Sequence, residues 1–134
     1  MSIESELLAY KAITTEKCFG SLLQLRDLAH LNHLYPSNPG STGSGWQHSA
    51  LGGFYGDLLD LIDGLIESYQ GKYGLIDIQI PASKREDAYS LISSKAKELE
   101  THGPKIFKDS WMLNQVDEII TLMYQTMYKL KNLK

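Results

Sequence analysis

The sequence predicts an all-α protein, a four-helix bundle that forms one domain over residues 1–134. Apolar residues recur at helical spacing in four stretches, and segments rich in glycine, proline and small polar residues separate them. With 134 residues, of which 43% are hydrophobic, the chain is long enough to bury one apolar core without disulfides or a structural metal. No internal repeat or interdomain linker appears, so we expect a single domain.

The first helix is predicted from Ser2, which can serve as its N-cap, to about Leu34. The stretch Ile13-Thr14-Thr15 is weak for helix, so a break is possible there. A long loop is expected at residues 35–45, because two prolines and three glycines fall within this stretch. The second helix then runs from residue 44 or 45 to residue 69 or 70, where Gly71 and Gly74 are expected to end it.

Residues 75–81 largely alternate apolar and polar side chains, which is typical of extended chain. A single extended segment has no partner strand, so we interpret it as part of a crossover between helices 2 and 3 at one end of the bundle. The S-x-x-E capping box from Ser83 to Glu86 predicts the start of the third helix. That helix is expected to reach about Thr101 and to end at Gly103-Pro104.

The fourth helix is predicted to begin at Asp109 or Ser110. Most of its apolar residues are expected to face inward, and Trp46 of helix 2 is assigned to the core as well. The inward set of helix 4 comprises Trp111, Met112, Val116, Ile119, Ile120, Met123, Met127 and Leu130.

Composition and charge exclude several classes of protein. A net charge of −3 gives no electrostatic footprint for nucleic acid. No run of residues is long and apolar enough to span a membrane, and no secretory signal pattern opens the chain. Cys18 has no second cysteine to pair with and is expected to pack as a small apolar residue. We expect a cytoplasmic protein, in the host cytoplasm if it is virus-encoded.

Helix 2 carries three potential metal ligands at fixed offsets: His48, Asp63 fifteen residues later, and Glu67 four residues after that. At about 100° per residue they lie at roughly 0°, 60° and 100° around the helix, beside its apolar face. Imidazole and carboxylate together suit iron, manganese or zinc. Gly52 and Gly56 share this stripe. Since glycine costs a helix roughly 1 kcal/mol relative to alanine, we interpret them as room for a helix of a second copy.

These residues, with a His-Leu-Asn stretch near the end of helix 1, resemble the Dps-type mini-ferritins of the ferritin-like superfamily. In that family, a His-x-Asn stretch on the first helix is combined with His, Tyr, Asp and Glu at set intervals on the second. The matching positions here are His30, Asn32, His48, Tyr55, Asp63 and Glu67. The resemblance covers roughly residues 22–70. Gly52 stands where the family often has a further acid, and the interval between the two histidines is longer than usual.

The resemblance implies a ferritin-like bundle and a homo-oligomer. It implies that iron, or another divalent transition metal, binds across a two-fold interface. His30 and His48 would come from one subunit, and Asp63 and Glu67 from its neighbour. If such a site is catalytic, it oxidises Fe(II) with dioxygen or peroxide, as a ferroxidase does.

Three alternatives remain open at this point. His48, beside an apolar face, can be a packed histidine of the core or of an interface. His33 can replace His30 as a ligand, or it can cap the C-terminus of helix 1. The whole chain can also be a metal-free interaction or structural module, virus-encoded or not, that acts through oligomerisation or partner binding.

Overall fold

The computed structural model contains four α-helices and describes residues 3–35 and 45–133, with side chains from Thr15 onward. The helices are α1 (Ile3–Leu34), α2 (Gly45–Tyr73), α3 (Ala88–Ile106) and α4 (Ser110–Asn132). The described residues contain no strand, which confirms the all-α class. The predicted N-cap Ser2 and most of the predicted loop, residues 36–44, lie outside the described residues. The possible break at residues 13–15 is absent, because α1 is continuous there.

Each helix packs against two of the others and runs antiparallel to both. The packed pairs are α1 with α2, α2 with α4, α4 with α3, and α3 with α1. The end of α1 meets the start of α3, since the Asn32 side-chain amide donates to the Glu86 carbonyl at 3.0 Å. The end of α2 meets the start of α4 through an ion pair between Lys72 and Asp109. The four helices thus surround one core.

The crossover, residues 74–87, runs along α1 from one end of the bundle to the other. The Gln24 side-chain amide donates to the Pro81 carbonyl at 2.8 Å. A Cβ built on Gly20 would lie only 2.2 Å from the Gln79 carbonyl oxygen. The expectation that this segment stays at one end of the bundle is therefore wrong. The reason is topological, because α3 starts beside the end of α1, a bundle length away from the end of α2.

The alternating pattern of the crossover is borne out by its packing. Ile76 and Ile78 pack against the core, whereas Leu75 is 90% exposed and Ile80 is 50% exposed. The segment has period-two character without forming a strand.

Three predicted helix boundaries are wrong: the end of α2 and both ends of α3. Helix α2 continues through Gly71 and ends at Tyr73. Gly74 follows, and its positive φ of 99° suits a glycine after a helix. Helix α3 starts at Ala88 and not at the Ser83 capping box. Its N-cap is Asp87, which accepts from the Ser90 backbone N–H at 3.0 Å. The inward-facing apolar residues begin at Ala88, so the helix starts where there is a core to pack on.

Helix α3 also continues past Thr101 and through Gly103-Pro104 to Ile106. Burial holds this last turn in place, since Gly103, Ile106 and the following Phe107 are all buried. A Cβ on Gly103 would lie 3.3 Å from Val116 Cγ1 of α4, a close contact that would require Val116 to move by a few tenths of an ångström.

Apart from Thr15, Asn32 and Thr126, the buried residues that the structure describes are apolar or glycine, and they include the predicted methionines but not the tryptophans. Trp46 is 53% exposed and Trp111 is 43% exposed, so the prediction that they lie in the core is wrong. In the first turn of α4 the inward position is filled by Met112, which is fully buried. The largest fully buried side chains are Phe19, Leu25, Leu51, Phe54, Leu58, Ile62, Leu65, Ile92, Phe107, Met112, Ile119 and Met123. In the part of the chain that is described, no helix is both long and apolar enough to cross a membrane.

Candidate metal site

His33 and His48 form a stacked pair where the end of α1 meets the start of α2. Their ring centroids are 3.8 Å apart, and the ring planes differ by 18°. His33 Nδ1 lies 2.7 Å from the His48 carbonyl oxygen, and His48 Nδ1 lies 2.9 Å from the His33 carbonyl oxygen. A carbonyl oxygen only accepts, so each Nδ1 is the donor. In the neutral rings the proton therefore sits on Nδ1, and both Nε2 atoms keep a lone pair.

The residue that caps the C-terminus of α1 is His48 and not His33, as the hydrogen bonds of this pair show. The last carbonyls of α1 have no partner within the helix, and the carbonyl of His33 is one of them. His48, reaching across from α2, donates to it. The interpretation of His33 as the cap of its own helix is therefore wrong. Its ring instead bonds the neighbouring helix.

His30 stacks on Tyr55, one turn away from the His33–His48 pair. The ring centroids of His30 and Tyr55 are 4.3 Å apart, at 20°, and the His30 and His33 centroids are 6.4 Å apart. The Arg26 guanidinium lies 5.6 Å from the centre of the Tyr55 ring. We call these four rings, which form the stacked pairs His33–His48 and His30–Tyr55, the histidine seam.

Gly52 makes room for the histidine seam within one chain. A Cβ at Gly52 would lie 2.9 Å from His33 Cε1 and 3.1 Å from His33 Nδ1. The helix that approaches Gly52 is therefore α1 of the same chain. Gly56 differs, because a Cβ there would have no atom within 4 Å. Only Gly56 of the two keeps an open space that a second copy can fill.

The two carboxylates of the predicted site lie far along α2 from its histidine. Asp63 and Glu67 are exposed, and among the described residues neither has a hydrogen-bond or ion-pair partner. At about 1.5 Å per residue they lie roughly 22 and 28 Å along the helix from His48. One chain therefore cannot bring all four predicted ligands together.

Accordingly, the described part of the chain has no group of three or more histidines, cysteines or acids that could hold a metal ion. The structure brings His30 and His48 to one seam, with His33 between them, and leaves both acids elsewhere. His33 has only a minor role in the prediction from sequence, although its spacing of three residues from His30 puts both on one face of α1. Gly52 of α2, which has no side chain and lies opposite His33, is the sequence signal that a ring packs against α2 at this position.

Asn32, the third residue of the resemblance on α1, has a structural role in this chain. It is fully buried, and its amide donates to the carbonyl just before α3. A buried amide needs such a partner, so Asn32 ties the end of α1 to the end of the crossover.

Comparison with known proteins gives one match. A search of curated proteins found none that matches, and a search of solved structures found none either. The family model that matches covers residues 41–130, which takes in α2, the crossover, α3 and most of α4. The chain therefore belongs to the family of unknown function DUF5856.

Proposed function

We propose that the chain acts as a homo-oligomer whose α2 helices meet, and that a divalent transition metal, iron among them, binds between copies. The ligands are His48 of one copy and Asp63 and Glu67 of the next. The observation that carries the proposal is the pair of exposed carboxylates on α2, which have no partner among the described residues. They share one helix face with His48.

The spacing along α2 supports a two-fold pairing of antiparallel helices. The midpoint between position 48 and the two acids, 63 and 67, falls at position 56 or 57. A two-fold axis there places His48 of each copy beside Asp63 and Glu67 of the other. Gly56 is the residue at that midpoint, and a Cβ there would meet nothing within 4 Å. Two helix backbones can approach closely at such a position.

The chemistry of the donors fits a metal. Metal-bound histidines usually donate their second ring N–H to a carbonyl or carboxylate, which fixes the tautomer. His48 already donates from Nδ1 to the His33 carbonyl, so its Nε2 is available. Two acids and an imidazole suit iron, manganese or zinc. A bound iron supplies any redox chemistry, and the residues of the chain hold it in place.

The fourth ligand is a choice between His30 and His33. His30 holds the position that the resemblance implies, and His33 stacks directly on His48. Both lie in the histidine seam, so single substitutions separate the two.

The order of the helices also supports a ferritin-like relation. Two antiparallel helix pairs joined by one long crossover along the bundle are the connectivity of that class. The helix directions and the path of residues 74–87 agree with it. The apolar centre argues for a metal between copies and not inside the bundle.

The test measures mass in solution together with metal content. Purified protein is stripped with a chelator, loaded with Zn(II), or with Fe(II) under anaerobic conditions, and passed through a desalting column. A two-fold pair creates two equivalent sites, so we expect one tightly held metal per chain. We expect His48→Ala and Glu67→Ala to lose it. Asp57→Asn is the matched control, since Asp57 is exposed on α2 but lies about 80° around the helix from Glu67.

A second function is favoured by one observation, the absence of any three-ligand cluster in the described residues of one chain. In this alternative the α2 face joins copies, or binds a partner helix, without metal. A chelated protein that keeps its oligomeric mass, and whose His48→Ala and Glu67→Ala variants assemble normally, supports this alternative. A monomer without bound metal contradicts both the metal site and the joining of copies, and leaves only the binding of a partner helix.

A further inference from the structure

A cleft of about 370 Å³ opens between α1 and α3, away from the histidine seam. Its apolar side is formed by Leu22, Leu99 and Ile106. A cleft of this size falls in the range of small-molecule sites and holds about a dozen water volumes. It shares no residue with the histidine seam, so binding in the cleft is independent of the proposed metal site.

The polar feature of the cleft is the Lys95 ammonium. Lys95 is half-buried, and its Nζ donates to Ser21 Oγ at 2.5 Å and to Gln24 Oε1 at 3.0 Å. Both acceptors are neutral, and in the described part of the chain no carboxylate forms an ion pair with Lys95. An ammonium has three N–H donors, so one of them remains for a further acceptor. A half-buried charge with only neutral partners is best satisfied by an anion.

The rim of the cleft limits how much negative charge it accepts. Lys17 adds a second positive charge, whereas Glu98 adds a negative one. Glu98 acts on the interior of the cleft, since burial and, after it, the charge of Glu98 raise the pKa of the Cys18 thiol to about 12. The rim therefore favours one negative charge on a ligand and opposes a second.

Cys18 belongs to the apolar wall and is not a reactive group. With its pKa raised, the thiol stays protonated at neutral pH, and a thiol is a poor nucleophile. The cleft is thus suited to reversible binding and not to covalent chemistry.

We propose that this cleft binds a small amphipathic monocarboxylate. Its head group accepts a hydrogen bond from Lys95, and its apolar body lies against Leu22, Leu99 and Ile106. Binding of a carboxylate to an anchored ammonium in a partly desolvated site is a charge-assisted hydrogen bond. The apolar body adds affinity with each methylene that it removes from water.

The experiment titrates the full chain with hexanoate and with benzoate, and follows binding by NMR chemical shifts. Hexanamide, which has a similar shape and no charge, is the comparison ligand. We expect the carboxylates to bind about tenfold more tightly than the amide, as a hydrogen bond between charged groups allows. We also expect their affinity to fall as salt is added. These two results need no variant.

Three variants then test the assignment of residues. Lys95→Gln should weaken hexanoate binding about tenfold, whereas Lys97→Gln, an exposed lysine on the same helix, should leave it unchanged. Glu98→Gln should strengthen hexanoate binding, because a repulsive charge is removed. Equal binding of hexanoate and hexanamide, or equal losses in the two lysine variants, overturns the proposal. So does the absence of any shift in the residues that line the cleft. Urea midpoints of the variants separate loss of binding from loss of folding.

Discussion

Substitution of Gly20 by alanine tests how the crossover is fixed to α1. Gly20 lies in the interior of α1, a helix of 32 residues, where alanine is normally the better residue. In this bundle the new Cβ would lie 2.2 Å from the Gln79 carbonyl oxygen and 3.6 Å from Pro81 Cδ. The first contact is with backbone, which has no rotamer to change. The crossover must therefore move away from α1 by about an ångström to restore a normal contact distance.

The expected cost depends on two opposing effects. Overpacking of this kind typically costs about 1–3 kcal/mol, and the higher helix propensity of alanine returns about 1 kcal/mol. These two effects leave a net loss of up to about 2 kcal/mol in the free energy of unfolding. The displaced crossover also carries Ile76 and Ile78 out of their packing, which moves the expected loss toward the upper end of that range.

The assay is urea denaturation followed by circular dichroism, at protein concentrations where the midpoint does not change with dilution. Gly53→Ala is the matched control. Gly53 lies in the interior of α2 and a Cβ there would meet nothing within 4 Å. Its replacement should therefore stabilise the protein by about 0.5–1 kcal/mol through helix propensity alone. The change in the free energy of unfolding should therefore have opposite signs for the two glycine-to-alanine substitutions.

A Gly20→Ala variant that is as stabilising as Gly53→Ala would refute this expectation. That outcome would mean that the crossover does not lie against Gly20. A loss in both variants would instead show that neither site follows helix propensity.

Three further predictions concern single contacts. Asp87→Ala removes the side-chain acceptor of the Ser90 backbone N–H and should cost about 1 kcal/mol of unfolding free energy; an unchanged urea midpoint contradicts the N-cap. Burial raises the pKa of Cys18 to about 12 from its ordinary 9.0, so the stability due to its neutral thiol is complete below pH 9 and is lost as the pH rises toward 12. Cys18→Ala should remove that part of the stability profile, and an unaltered profile rules it out. The pKa of Tyr73 is raised because its hydroxyl donates to Asp109, so Asp109→Asn should lower it, as NMR of labelled tyrosine would report.

Much of the fold could be predicted from the sequence because helices follow local rules. Apolar periodicity marks all four helices, and the inward set on α4 is buried at Met112, Val116, Ile119 and Met123. The ends of α2 and α3 differ from the prediction because tertiary contacts override local signals. Ser83 does not begin α3, since the inward-facing apolar residues start at Ala88. Helix α2 continues past Gly71 through exposed residues, where Lys72 and Tyr73 contact Asp109 at the start of α4.

The path of the crossover could not be predicted, because it depends on which ends of the helices meet. No local pattern records that Asn32 reaches Glu86 across 54 positions of the chain. The histidine seam was partly predictable. Spacing on helix 2 placed His48 beside an apolar face, and the resemblance implied His30. The pairing of His48 with His33 depends on the register between α1 and α2. That register is set by packing around Gly52, a long-range property.

The fourteen residues of the crossover, 74–87, are more than the span requires, but by a limited number. At about 3.3 Å per residue they reach at most about 46 Å, and the bundle edge that they follow is about 28 Å long, the length of the 19-residue α3. The surplus is about 18 Å, or about five residues. Insertions in the crossover should have little effect on stability, since each doubling of loop length costs only about 0.6 kcal/mol. A deletion of eight residues would leave the crossover too short to follow this edge. The hairpin of α3 and α4 could then dock on the hairpin of α1 and α2 only in the opposite orientation.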